Sequence, residues 1–144
     1  TEISLLNLIT GEETKGADLL PSVYPGFMAI NHELSYLAVW DRKTVSLWKL
    51  PDVYLEKVFV ITDSDTQGLA GPILFSPDDK LLLAAGYSPN EILFWNVETG
   101  QFLHSIPVSE TALELGYHIV MSPDGRLLAT MGNDGTIRIW GVKK

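Results

Sequence analysis

Three stretches of the chain align with one another: AINHELSYLAVWDRKTVSLWKL (29–50), LFSPDDKLLLAAGYSPNEILFWNV (74–97) and VMSPDGRLLATMGNDGTIRIWGV (120–142). An internal repeat of this period constrains a fold more than any local signal, because each unit must bury itself against its neighbours. The recurring tryptophan stands at Trp48, Trp95 and Trp140, with spacings of 47 and 45. The turn positions Asn31, Ser76 and Ser122 lie 45 and 46 apart. A partial fourth copy, ISLLNLITGEETKG, opens the chain with Leu6 in the tryptophan's place.

Each unit parses into four short strands. Strand a is FMAI (27–30), PILF (72–75) or HIVM (118–121), and a turn such as SPDD or SPDG follows. Proline presets φ there and Asp or Gly suits the next positions. Strand b is LSYLAVW (34–40), KLLLAAG (80–86) or RLLATMG (126–132), and DRK, YSPN or NDG marks the second turn. Strand c is VSLWKL, EILFWNV or TIRIWGV, with a first version at 3–8. A more polar strand d follows: EETKGADLL, YLEKVFVI or FLHSI. Gly, Pro, Asn and Asp break every run before three helical turns could form.

Strand c is the informative element. Its alternate residues form two sets, Ile92/Phe94 and Leu93/Trp95/Val97 in the third unit, and both sets are apolar. A strand with one wet face alternates apolar with polar, so this one must be covered on both sides. Sheets stacked face to face supply that cover. Glu12, Glu13, Lys15, Glu56, Lys57 and His104 on strand d suit an outer edge guarded by charge.

On the order SPDG…LLAT…NDGTIRIW (122–140) the chain resembles the WD-repeat β-propeller family. The resemblance implies an all-β fold of propeller blades, each a four-stranded antiparallel sheet. A single domain over 1–144 is expected, with strands c–d of a first blade at 1–20, a second blade at 26–62, a third at 71–107 and strands a–b–c of a last blade at 116–142. It further implies a stabilising network to which Thr130, Asp134 and Trp140 would contribute, with Trp48 and Trp95 as the equivalent structural tryptophans. The sequence departs from the family pattern in two ways. Lys49, Asn96 and Gly141 follow the tryptophans where the family has Asp, and no Gly-His dipeptide precedes any strand a. The literal Trp40–Asp41 pair ends a strand b and is out of register with the repeat.

About three and a quarter blades form only part of a ring, since propellers close with at least ~4. An open arc leaves an apolar sheet face bare at each end, on the order of 500 Å² apiece. At ~25 cal/mol per Å² each face forgoes roughly 12 kcal/mol, comparable with the stability of a whole domain. The remaining blades are therefore expected from the same or another chain: either this is a piece of a larger propeller, as its opening on Thr1 suggests, or copies associate to close the ring.

Composition narrows the function. The formal charge is −8 and the ten basic residues form no run, which argues against a phosphate backbone as partner. Cysteine is absent, so thiolate chemistry and Cys-ligated zinc are excluded. No apolar run approaches the ~18 residues of a membrane helix, so neither nucleic acid nor membrane is an expected partner. His32, His104 and His118 have no companions at metal-ligand spacing. DSDTQG (63–68) opens like a calcium loop but places Leu74 where the bidentate Glu belongs. No cofactor or metal is expected, and a central-channel enzyme is the weakest of the three readings.

The leading reading is a non-catalytic protein–protein interaction scaffold, cytoplasmic with the nucleus left open. Its binding rim comprises the d–a loops (62–71, 107–116) and b–c turns (41–44, 87–91, 132–135). Arg42, Tyr87, Asn90, Asn133, the acidic pair Asp63/Asp65, and Trp40 are the candidate partner-binding residues, because aromatics and Arg dominate interface hot spots. For Trp40 and Tyr87, packing within a blade competes with that role.

Overall fold

The computed structural model describes residues 2–18, 26–41, 44–60, 69–86, 91–108, 115–132 and 135–141. Among these residues the chain is all strand and turn. A two-stranded ribbon comes first, β1 (Glu2–Leu6) with β2 (Glu13–Asp18). Two four-stranded antiparallel sheets follow in simple up-and-down order. Counting the ribbon as the first sheet, the second is β3 (Met28–Ile30), β4 (Tyr36–Asp41), β5 (Thr44–Lys49) and β6 (Tyr54–Val60), and the third is β7 (Leu69–Phe75), β8 (Leu81–Gly86), β9 (Glu91–Asn96) and β10 (Phe102–Pro107). A three-stranded sheet ends the chain: β11 (Leu115–Met121), β12 (Leu127–Gly132) and β13 (Ile137–Gly141). The ring is not closed.

The turns show why these residues fold as they do. In the a–b turn of the third sheet, Asp79 N–H donates to Ser76 O at 2.9 Å, and the Ser76 hydroxyl accepts the Leu81 N–H at 2.9 Å. Ser122 does the same for Gly125 and Leu127, and Asn31 for Leu34 and Tyr36. The fourth residue of each turn has a left-handed backbone: Leu34 at φ 54°, Asp79 at 56° and Gly125 at 70°. One turn geometry is therefore written with three different residues at its most demanding position. The c–d turns Asn7–Glu12 and Asn96–Gln101 also share a design. Each asparagine Oδ1 accepts a threonine N–H (Thr10 at 3.1 Å, Thr99 at 2.8 Å), and each turn closes on a left-handed glycine, Gly11 or Gly100.

The sheets bury three apolar layers between them. Ile3 and Leu5 pack on Val39, Trp48 and Val53. Ala38, Val45, Leu47 and Phe59 of the second sheet meet Leu82, Leu93 and Trp95 of the third. Leu83, Ile92 and Phe94 on the other side of the third sheet meet Ile119 and Leu128 of the last. The neighbours Phe94 and Trp95 thus lie in different layers, and β9 is buried on both faces as its sequence requires.

Three expectations are corrected. Strand c of the first unit ends at Leu6 rather than residue 8, because Asn7 Oδ1 takes the Ile9 and Thr10 N–H groups into a turn and leaves Leu8 and Ile9 exposed. Strands β7 and β11 begin at Leu69 and Leu115, inside the spans expected as d–a loops. Pairing resumes there beyond an irregularity, as Leu69 with Gly86 and Leu115 with Gly132, so both strands extend further than their uninterrupted apolar runs. The outer strands also carry exposed Tyr54, Val58, Phe102 and Leu103 besides their charges, so charge alone does not guard the edges.

Candidate interaction surface

Antiparallel strands alternate in direction, so each sheet has two distinct ends. The a–b and c–d turns occupy one. The strand ends Asp41/Thr44, Val60/Leu69, Gly86/Glu91, Pro107/Leu115 and Gly132/Ile137 carry the other connections on the opposite end. Arg42, Tyr87, Asn90, Asn133, Asp63, Asp65 and the structural candidate Asp134 belong to those connections and lie outside the described residues.

Trp40 is described, and it is a core residue. It is 8% exposed, packs on Phe27 with ring centroids 5.5 Å apart, and lies so close over Gly26 that a Cβ there would sit 2.2 Å from the indole. Its Nε1 is buried without a hydrogen-bond partner. Of packing and partner binding, the geometry supports packing.

The other tryptophans are anchored in two ways. Trp140 Nε1 donates to the Thr130 hydroxyl at 3.2 Å, linking strands c and b of the last sheet. In the second sheet the same strand-b place is Val39, which has no hydroxyl. Ser46 on strand c substitutes for it: Trp48 Nε1 donates to Ser46 Oγ at 3.0 Å, and that hydroxyl donates to Val39 O at 3.2 Å. Trp95 is packed at 1% exposure between the second and third sheets.

The turn end holds a contact that sequence reasoning missed. Asp79 reaches across to the neighbouring turn, where Oδ1 accepts the His32 N–H at 2.9 Å and lies 3.0 Å from His32 Nδ1. Oδ2 accepts the Glu33 N–H and the Asn31 Nδ2–H, both at 2.9 Å. Burial pushes the Asp79 carboxyl up, but the His32 and Glu33 donors outweigh it and hold the group below the usual carboxylate range. The sequence signal was the second Asp of SPDD, standing where SPDG has Gly. Beside this clasp lies a groove of about 410 Å³, in which Lys57 Nζ reaches the carbonyls of Val97 and Glu98.

The inner strands of three sheets frame a second hollow of about 380 Å³, lined by Ile30, Leu74, Val120 and Met121 with His32 at its rim. Among the described residues no group of three or more His, Asp or Glu could hold a metal ion. Among the same residues no helix is long and apolar enough to cross a membrane. What the described surface offers is shape, turns and apolar area.

The family described as WD domain, G-beta repeat matches residues 104–141, which run from strand d of the third sheet through strand c of the last. Over those residues the chain is similar to a WD repeat. The chain is similar to a coronin-like protein of Saccharomyces cerevisiae, 24% identical over 118 residues, 72% of this chain and 17% of that protein. It is similar also to WD repeat and SOCS box-containing protein 1 of Xenopus tropicalis (38% over 66 residues, 45% of this chain and 15% of that protein). Human apoptotic protease-activating factor 1 is 41% identical over 69 residues, 44% of this chain and 5% of that protein. The chain thus spans less than a fifth of each relative. Among solved structures, a hydrazine synthase chain of Kuenenia stuttgartiensis superposes with a TM-score of 0.76, over 97% of this chain and 40% of that one. At 19% identity that likeness concerns the fold alone.

Proposed function

We propose that these WD repeats form a non-catalytic scaffold for protein–protein interaction, part of a larger propeller. The carrying observation is the set of three buried layers, which makes the sheets a rigid frame and leaves recognition to the connections at their ends. The similarity to a WD repeat and SOCS box-containing protein supports this reading. The partner-binding end is the one bearing Arg42, Tyr87, Asn90, Asn133 and the Asp63/Asp65 loop, and the expected partners are proteins rather than nucleic acids. Arg42→Ala combined with Tyr87→Ala is expected to release proteins retained by the immobilised chain while leaving the melting temperature unchanged. Retention of the same proteins, or a drop in melting temperature as large as that of a core variant, would overturn the reading. Self-association of copies is the competing account of the arc's open ends, and the mass of the chain in solution separates the two.

A further inference from the structure

The three strands in the d position are not guarded alike. β2 sets Glu13 and Lys15 in solvent, and β6 exposes Glu56 with Lys57 half-buried beside it. Charges of that kind keep a free strand edge from pairing with another chain. β10 reads FLHSIP and holds no Asp, Glu, Lys or Arg. His104 lies flat on Phe94, with ring centroids 4.7 Å apart and the planes 10° apart, so its ring is committed to one face of the sheet. Phe102 meets Trp95 edge-on at 5.8 Å on the other face and is still 40% exposed. Leu103 between them is 44% exposed and is the extra residue of a bulge, with no partner on β9. Among the described residues no strand lies beyond β10 in its sheet, so one row of its N–H and C=O groups has no ladder to join.

We propose that the free edge of β10 takes a short extended segment of a partner protein as a fifth strand, apolar in its middle and carrying Lys or Arg at its ends. This surface is separate from the connections assigned above to partner binding. It lies on the opposite edge of the sheet from β7, whose Leu74 and Phe75 line the central hollow. Two features limit the segment's length. Pro107 offers no N–H, and the bulge interrupts regular spacing at Leu103, so main-chain pairing is confined to residues 103–106. A strand laid there sends alternate side chains to the two faces of the sheet. On one face they meet Phe102, and on the other His104 and Ile106, so apolar residues find contact on both.

Charge sets the ends of the segment. The sequence has no Lys or Arg between Lys80 and Arg126. Glu98 stands exposed in the turn before β10, and Glu91 faces Pro107 across the ladder. The Lys57 ammonium approaches that turn but is held by the Val97 and Glu98 carbonyls. Carboxylates thus flank an uncharged edge, which complements basic ends. They also disfavour a second copy. Pairing β10 antiparallel with itself sets the Glu98 end of one copy against the Glu91 end of the other, carboxylate beside carboxylate.

The probe is a synthetic peptide of alternating Val and Thr closed at both ends by Lys-Arg, labelled for fluorescence anisotropy. It is expected to bind the chain. The same peptide with methylated backbone nitrogens, or with Glu-Glu ends, is expected to bind about tenfold more weakly or worse, as one or two lost main-chain or charged contacts imply. Equal binding by either control would overturn the proposal. Hydrogen exchange is expected to slow in β10 when the peptide binds and to stay unchanged in β2 and β6; protection elsewhere, or none, refutes it. Leu103→Lys, at a position without a cross-strand partner, is expected to keep the melting temperature and weaken binding about tenfold. Undiminished binding by that variant counts against the edge, and if it fails to fold, the peptide controls and the exchange map still decide. A peptide-free dimer with protected β10 amides would give the edge to a second copy and sink the proposal. Arg42→Ala with Tyr87→Ala is expected to bind the peptide like the parent chain. Loss of binding there would move the peptide to the connections, ending this inference while leaving the scaffold reading in place.

Discussion

Asp79 occupies a left-handed turn position and makes it serve two sheets. Its carboxylate accepts from two backbone N–H groups and an asparagine amide and faces the His32 ring, all in the adjacent turn. Asp79→Asn keeps a residue that tolerates this backbone but removes the charge, and a loss of about 1–2 kcal/mol is expected in chemical denaturation. The pH dependence follows from the direction of the shift. A carboxyl held below its ordinary value in the folded chain contributes stability that is complete above the ordinary carboxylate range and is lost as pH falls through it toward the folded value. Acid titration of stability is expected to be shallower in Asp79→Asn, and equal profiles would refute the assignment. The same turn position gives a paired test. Leu34 is exposed at φ 54°, so Leu34→Gly relieves backbone strain and is expected to raise the melting temperature slightly. Gly125→Ala meets Pro77 only at ordinary contact distance, yet it is expected to cost about 1 kcal/mol through φ 70° alone.

At the scale of the strand, the c ribbons were legible because residue types on both sides of the pleat were apolar. Ile92/Phe94 and Leu93/Trp95 pack in opposite layers, as that pattern demands. Of the two hydroxyls that hold an indole N–H, at Trp48 and Trp140, only one was legible. Thr130 stands where a family resemblance looks for it, but Ser46 lies on the wrong strand for that rule and is recognised only by its 3.0 Å contact with Trp48. Ser46→Ala strands a buried indole N–H, so a loss of about 1–3 kcal/mol is expected. Thr130→Val, under a half-buried Trp140, is expected to cost less, near 1 kcal/mol. Urea midpoints at constant slope measure both, and the reverse order would refute this account. Strand boundaries were the least legible feature. β7 and β11 run on past irregular pairings that single-strand patterns do not encode.

For the whole molecule, three buried layers hold four sheets in sequence, each touching its neighbours, so stability is nearest-neighbour in kind. Removing a side chain from a shared layer weakens two sheets at once. Trp95→Ala is expected to cost about 3–5 kcal/mol, with hydrogen exchange accelerating on both the β3–β6 and β7–β10 sheets. Confinement of the effect to one sheet would contradict the layered arrangement. The sequence by itself determined the repeat, the four-strand unit and the need for cover on both sides of strand c, since these follow from residue type and period alone. Only the tertiary structure decided that Trp40 is interior, that Asp79 bridges two turns, and that Ile137 and Ile139 lie open while their equivalents are dry. Those facts depend on which surfaces meet, and even the second Asp of SPDD marks only one side of its contact, since nothing local at His32 or Glu33 names its partner.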